Sequence, residues 1–205
     1  MQQENRIPVE EHPLTPFLPS NGRLLMLGSF PPQQKRWCME FYYPNYLNDM
    51  WRIVGLIFFD DAQHFVDTER KTFRKEEIIA FLNEKGIGIY DTACAVRRLQ
   101  DNASDKFLEV VTPTNINQLL QQMPQCRTIV TTGQKATDTL CEYFGIEQPK
   151  VGSFVEFVHT IPLEEGALCK LRLYRMPSTS RAYPLSLAKK AESYRAMFQG
   201  LEMLK

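Results

Sequence analysis

The stretch Arg23-Leu24-Leu25-Met26-Leu27-Gly28-Ser29-Phe30-Pro31-Pro32 decides the fold. Up to Gly28 it is a short apolar run with no polar alternation. Such a run is buried on both faces, as in a parallel sheet covered by helices on either side. Gly28 stops the strand, and Pro31 and Pro32 stiffen the loop that leaves it. Working outward, Gly88 to Asp91 and Cys126 to Thr132 have the same character. Phe154 to Thr160 and Leu168 to Arg175 read as two further strands, joined around Glu164-Glu165-Gly166. Between the strands the apolar spacing turns helical. Met50, Trp51, Val54, Ile57 and Phe58 share one face of a helix capped by Asn48 or Asp49. Arg74 to Lys85 forms another, with Gly86 just past its end. Further helices run from Thr114 through Leu120, from Gly133 to near Gly145, and from Leu185 to Leu204. Residues 60–72 read as a polar connection and 92–113 as irregular. Strands alternating with helices imply an α/β fold with a mainly parallel sheet and helices on both faces. No repeat or linker divides the chain, so one domain over residues 1–205 is expected. Its first 22 residues, with Pro8, Pro13, Pro16, Pro19 and Gly22, form an N-terminal arm that is not a helix.

The bulk composition narrows the function. A hydrophobic content of 43% is ordinary for a globular chain. No apolar run approaches the roughly 18 residues that span a bilayer, and Met1 to Asn5 lacks the basic-then-apolar order of a signal peptide. A cytoplasmic monomer with no membrane attachment is expected. The cysteines are Cys38, Cys94, Cys126, Cys141 and Cys169, an odd number with no Cys-x-x-Cys unit, which points away from metal ligation and a disulfide framework. His12, His64 and His159 are isolated from one another in sequence. With 24 basic and 24 acidic residues the net charge is zero, so any basic footprint for nucleic acid must be local. Lys35-Arg36, Arg97-Arg98, Arg172 to Arg181 and Lys189-Lys190 are the candidates.

Ligands of open α/β sheets bind beyond the carboxyl ends of the strands. The loops after Gly28, Asp91 and Arg175 all leave such ends, and they carry the unusual residues. The first continues into Phe41-Tyr42-Tyr43-Pro44-Asn45-Tyr46-Leu47-Asn48-Asp49-Met50-Trp51. Its aromatics serve either as a lid over the core or as a stacking surface for a nucleobase, the latter worth roughly 1–3 kcal/mol per base. The last, Met176-Pro177-Ser178-Thr179-Ser180-Arg181, sets three hydroxyls ahead of a helix. They either cap that helix or donate to phosphate oxygens.

Taken together, the two loops resemble the uracil-DNA glycosylase superfamily. Gly28-Ser29-Phe30-Pro31 is similar to its first motif. Tyr42-Tyr43-Pro44 followed by Asn48 and Trp51 resembles the hypoxanthine-DNA glycosylase branch. Met176 to Arg181 is similar to the second motif of the thymine and mismatch-specific uracil glycosylases. The resemblance implies a three-layer α/β/α sandwich with a short, mainly parallel sheet, and a monofunctional hydrolase that uses no cofactor or metal. Its partner would be double- or single-stranded DNA, from which it excises a flipped damaged or deaminated base such as uracil or hypoxanthine. Carried over position by position, it implies that Gly28, Ser29, Phe30, Pro31, Tyr43, Asn45 and Met50 surround the base. It implies that Met176, Pro177, Ser178, Thr179, Ser180 and Arg181 meet the DNA, with Arg181 or Ala182 filling the gap the base leaves. Phe30 stands where the uracil branches often place a water-activating Asn, and Met176 where many members have His. The resemblance to the hypoxanthine branch, in which an Asn just before the Trp carries the catalytic burden, implies that role for Asn48, with Asn45 as its rival and Asp91 as the nearest carboxylate able to act as base. Two other readings predict different behaviour. A non-catalytic nucleic-acid or nucleotide-binding module would keep the same loops without depending on Asn48. A hydrolase of free nucleosides would leave the hydroxyl stretch unexplained.

Overall fold

A computed structural model describes residues 7–100, 105–161 and 168–204. Its strands are β1 (Val9–Glu11), β2 (Leu24–Gly28), β3 (Val66–Asp67), β4 (Thr72–Phe73), β5 (Ile87–Asp91), β6 (Ala93–Arg98), β7 (Leu108–Pro113), β8 (Thr128–Thr132), β9 (Ser153–Thr160) and β10 (Leu168–Met176). Its helices are α1 (Met50–Phe59), α2 (Lys75–Lys85), α3 (Ile116–Gln122), α4 (Gln134–Phe144) and α5 (Leu187–Gly200). Met1 to Asn5 and the expected turn at Glu164-Glu165-Gly166 lie outside the described residues.

The apolar runs assemble as their patterning requires. β2, β5 and β8 are buried along their whole length. They belong to a five-stranded sheet of order β5-β2-β8-β10-β9. Its four neighbours from β5 to β10 are parallel, and β9 is an antiparallel edge. The chain steps from β2 sideways to β5, then back across to β8 and on to β10. Right-handed crossovers therefore place α1 and α2 on one face and α3 and α4 on the other. Side-chain contacts agree. Phe58 of α1 packs edge-on against Phe81 of α2 and Phe198 of α5, whereas the Tyr143 hydroxyl of α4 meets Asn115 and Asn117 at the start of α3. The result is a three-layer α/β/α sandwich. Gly86 and Gly145 end α2 and α4 in the left-handed region, at φ of 65° and 64°. Among the described residues no helix is long and apolar enough to cross a membrane.

Two stretches depart from the expected pattern. Residues 92–113 include the hairpin β6–β7, which joins β1 of the arm in a separate three-stranded antiparallel sheet. Register shifts at Ala93, Ala95 and Val96 break the strict alternation of a strand, which is why the segment reads as irregular. The polar connection after α1 contains the small pair β3–β4.

The hydroxyl loop after β10 is anchored by a buried ion pair. Lys190 of α5 is 0% exposed. Its Nζ donates to Asp49 Oδ2 at 2.9 Å and to the Ser180 carbonyl at 2.7 Å. Asp49 immediately precedes α1, and its backbone N–H donates to the Thr179 carbonyl at 2.9 Å. One aspartate and one lysine thus join α1, α5 and the loop 177–182. Breaking a buried pair costs about 3–5 kcal/mol, because one charge is left unpaired, whereas replacing both partners by apolar residues is often close to neutral. Lys190→Met is expected to lower unfolding free energy in denaturant by about 3 kcal/mol, Arg181 remaining as a partial partner for Asp49. Asp49→Leu combined with Lys190→Met is expected to recover most of it. A double variant as unstable as the single would show that packing, and not the uncompensated charge, sets the cost.

Candidate active site

The parallel registers bring the carboxyl ends of the strands to one rim. Gly28 lies beside Asp91, and Thr132 beside Met176. A cavity of about 120 Å³ opens there, lined by residues of the loops that leave β2, β5, β8 and β10.

Its floor is the contact between Gly28 and Asp91. A Cβ on Gly28 would stand 2.4 Å from Asp91 Oδ1, so any other residue here would push this carboxylate out of its place. The second carboxylate oxygen, Oδ2, lies 2.9 Å from His12 Nε2. His12 belongs to the N-terminal arm, and its side chain is only 2% exposed. The Phe30 ring packs edge-on against the imidazole at 5.2 Å, and the Tyr90 ring lies 4.5 Å away. A second carboxylate, Asp105, accepts a hydrogen bond from the Ser29 hydroxyl at 2.6 Å. Desolvation holds its carboxyl above the usual range, and the charge of Asp91 pushes the same way, against the pull of the Ser29 hydrogen bond, Arg98 and Lys135. Arg98 also lines the cavity, held by a bidentate pair to Glu10 at 3.0 and 3.1 Å and by the Pro31 carbonyl.

One wall is aromatic. Tyr43 takes a left-handed backbone at φ 51°, a conformation rare outside glycine. It turns its hydroxyl to Thr132 Oγ1 at 3.1 Å. Tyr42 donates to the Thr15 carbonyl at 2.7 Å. Burial pushes both phenols well above their ordinary range, so they remain hydrogen-bond donors. Asn45 and Asn48 complete this side. Asn45 Oδ1 accepts from the Leu47 N–H and Asn48 Oδ1 from the Met50 N–H, each at 2.9 Å. Asn48 therefore starts α1, while Asp49 makes no side-chain cap bond.

The mouth is formed by Ser178, Thr179 and Ser180. Their hydroxyls do not cap α5, because Ser186 does, accepting from the Lys189 N–H at 3.3 Å. Instead Ser178 Oγ accepts from the Ser180 N–H and Ser180 Oγ from the Ala182 N–H, both at 3.2 Å, which fixes a tight turn. Gly133 takes φ 95°, a backbone region that L side chains rarely adopt, and turns the chain from β8 into α4.

Of the residues expected from sequence, Gly28, Ser29, Phe30 and Pro31 line the cavity together with Tyr43, Asn45, Asn48 and Asp91. Met50 does not: it is 0% exposed in the core, because it begins α1 on that helix's inward face. Met176 is likewise 1% exposed, being the last residue of a buried strand, and Pro177 is buried behind it. Neither presents a surface to a ligand. Arg181 is exposed but lies outside the cavity lining, its Nε 3.3 Å from Asp49 Oδ1. Two of the candidate surface cations are internal. Lys190 is buried on Asp49 and Arg98 on Glu10, whereas Lys35, Arg36, Lys189 and Arg181 are exposed and Arg97, Arg172 and Arg175 half-buried. Sequence reasoning missed His12, Tyr42, Arg98, Asp105 and Thr132. For His12 no local signal exists, since its partner is 79 residues away. Among the described residues, no three His, Cys, Asp or Glu side chains converge in a group able to hold a metal ion.

No protein-family model matches the chain, and no curated protein matches it. Among solved structures, the solution NMR structure of a "putative Uracil DNA glycosylase" from Methanosarcina acetivorans is similar, with a TM-score of 0.59 and 21% identity. The likeness covers 95% of this chain and 99% of that one. At this identity it concerns the fold, whose mainly parallel sheet between two helical layers it shares.

The raised carboxyl of Asp105 has a consequence for stability. A carboxyl whose folded pKa lies above its unfolded one favours folding when protonated and costs stability once ionised. Asp105→Asn keeps an acceptor for Ser29 and removes the charge. It is expected to raise the melting temperature at neutral pH, with the gain shrinking as the pH is lowered toward the ordinary carboxylate range. A melting temperature unchanged or lowered at neutral pH would count against a strained carboxylate at this position.

Proposed function

We propose that the chain is a DNA glycosylase that hydrolyses the bond between deoxyribose and a flipped-out, deaminated base such as uracil or hypoxanthine. One observation carries the reading: a single rim cavity joins a fixed carboxylate, Asp91, to an amide, Asn48, and to a mouth of hydroxyls, Ser178 to Ser180. The structural likeness to the Methanosarcina protein, and the first and last loops that prompted the resemblance in sequence, support it.

The chemistry asks little else. As the C1′–N bond lengthens, positive charge develops at the sugar and negative charge on the base. The base departs as an anion, water adds to C1′, and the proton it gives up passes to the general base and on to the released base. In this reading Asp91 supplies negative charge beside the sugar and receives the water's proton, a role for which positioned general bases contribute roughly 10²–10⁴-fold. Asn48 Oδ1 is already engaged by the Met50 N–H, which favours its amide N–H groups as donors to the base edge. Tyr43 and Phe30 wall the base, and Ser178 and Ser180 donate to phosphate oxygens, with Thr179 buried between them. Unstacking the base costs a few kcal/mol, least at a mismatched or damaged pair.

The test is excision from labelled oligonucleotides carrying uracil, hypoxanthine, xanthine or a thymine mismatch, read after alkaline cleavage. At least one base is expected to be released, and duplex binding is expected to weaken steeply with salt as phosphate counterions are displaced. Asp91→Asn should lower the single-turnover rate by about 100-fold or more. Asn48→Asp isolates the amide, because an Asp oxygen still accepts from Met50 and preserves the helix start. It should keep the melting temperature and lose at least about tenfold in rate, or roughly 1.4 kcal/mol in the transition state. Asn48→Ala should show the same loss together with about 1 kcal/mol of lost stability from the missing cap. Binding to DNA with no excision of any base would leave a binding module and overturn the proposal.

A further inference from the structure

We infer that His12, a residue of the N-terminal arm, is a positioning residue that holds the Asp91 carboxylate in the geometry base excision needs. The inference rests on the glycosylase reading for what Asp91 does, and on geometry alone for what His12 does.

Asp91 ends a strand, and its carboxylate has two oxygens to place. Oδ1 occupies the space that a side chain at Gly28 would need. Oδ2 meets His12 Nε2 at 2.9 Å. No other hydrogen bond to this carboxylate is found among the described residues, so the imidazole is what fixes its rotation. The imidazole is fixed in turn. Its Nδ1 lies 2.9 Å from the Leu14 carbonyl and 3.1 Å from the Leu14 N–H. One residue's backbone therefore offers Nδ1 both an acceptor and a donor. Neutral His12 accepts from the Leu14 N–H and protonated His12 donates to the Leu14 carbonyl. Because an ionised carboxylate can only accept, Nε2 is the nitrogen that donates to Asp91 in both states. The carboxylate keeps its donor whatever the charge of the ring.

The arm is built to deliver this ring. β1 pairs with β6 through Val9, Glu10 and Glu11, and the His12 N–H donates to the Cys94 carbonyl at 2.8 Å. Further on, Phe17 and Ile89 exchange two backbone hydrogen bonds, at 3.0 and 2.8 Å, alongside β5. His12 thus hangs between two anchors. Phe30, Tyr42 and Tyr90 pack around the ring, and Asp91 is the ionisable carboxyl bonded to it. A histidine needed only to fill an apolar gap would not be aimed at the one carboxylate that glycine has made room for.

The test compares His12→Ala with His12→Gln, whose amide nitrogen can replace Nε2–H as a donor. The readouts are single-turnover excision of the base that the wild type releases and affinity for a duplex carrying a tetrahydrofuran abasic site. His12→Ala is expected to lose about tenfold or more in rate, the size of effect when a charged group loses a buried hydrogen bond, with affinity held within about twofold. His12→Gln is expected to regain most of that rate. Equal losses in both variants, or no loss in either, would overturn the inference. An independent readout needs no substrate. In ¹⁵N-imidazole spectra of the whole chain, His12 Nε2–H should be in slow exchange and should lose that protection in Asp91→Ala. If the wild type releases no base while this signal is present and Asp91-dependent, the glycosylase reading falls and the pairing of His12 with Asp91 stands. An Nε2 without a proton, or one indifferent to Asp91→Ala, sinks the inference whatever the enzyme does.

Discussion

An ammonium group withdrawn entirely from water must meet a counter-charge, and for Lys190 that charge is Asp49. Most of the site's geometry hangs on this pair. Asp49 sits where the long aromatic loop becomes α1, so fixing it also fixes Asn48 and Asn45 before it. Lys190 sits on α5 and reaches back over the hydroxyl loop, binding the Ser180 carbonyl on the way. Tyr194, one turn further along α5, donates to the Pro177 carbonyl at 2.9 Å. Two loops more than a hundred residues apart are thereby held at one mouth by polar groups of a single helix. A hydrophobic contact would bury as much area without specifying direction; the ion pair and the two carbonyl bonds specify both.

The same economy explains how a chain of zero net charge arranges its site. Cations that sequence alone would assign to the surface are drawn inward. Arg98 pairs with Glu10 and Lys190 with Asp49. Carboxylates occupy the depth of the cavity, with Asp91 on the floor and Asp105 beside Ser29. The mouth is neutral, made of hydroxyls whose oxygens are already fixed by backbone N–H groups. For a polyanionic partner this order is coherent. Negative charge at the rim would repel phosphates, whereas negative charge at the bottom faces the atom that becomes positive in the proposed reaction.

How much of this was legible in the sequence depended on the range of the signal. β2, β5 and β8 announced themselves because a strand buried on both faces needs an unbroken apolar run, and little else produces one. The mainly parallel sheet with helices on both faces followed from the alternation of strands and helices. Asp91 and the hydroxyls were named because they sit at strand ends, where ligands bind in this architecture, and Asn48 because of the family resemblance; all of them line the cavity. Met50 and Met176 were misplaced for the opposite reason. Asn48 and Ser178, each two positions away, line the cavity, but the turn of α1 and the pleat of β10 point these two side chains into the core. Residues 92–113 hid a hairpin because its bulges break the period of two that identifies a strand. Asp105 stands on a short turn after that hairpin's first strand, so its approach to Ser29 could not be read without it.

His12 marks the limit of such reading most clearly. Composition and spacing describe it as a lone histidine in a proline-rich arm, and the local sequence offers it no partner. What gives it one is topology. The arm pairs with β6, a strand that also contributes Ala93 and Val96 to the second small core with Phe30 and Leu108. That pairing carries residue 12 to the end of β5, and Gly28 has left space there for the Asp91 carboxylate to turn toward it. The dyad is thus a product of three separate requirements: an edge to be covered, a strand end to be closed, and a missing Cβ. Each is ordinary by itself, and only their coincidence places an imidazole behind a carboxylate. A segment that a sequence reading treats as a wrapping therefore becomes part of the site's wall, and truncating it would remove a polar partner from the floor of the cavity as well as a strand from the sheet.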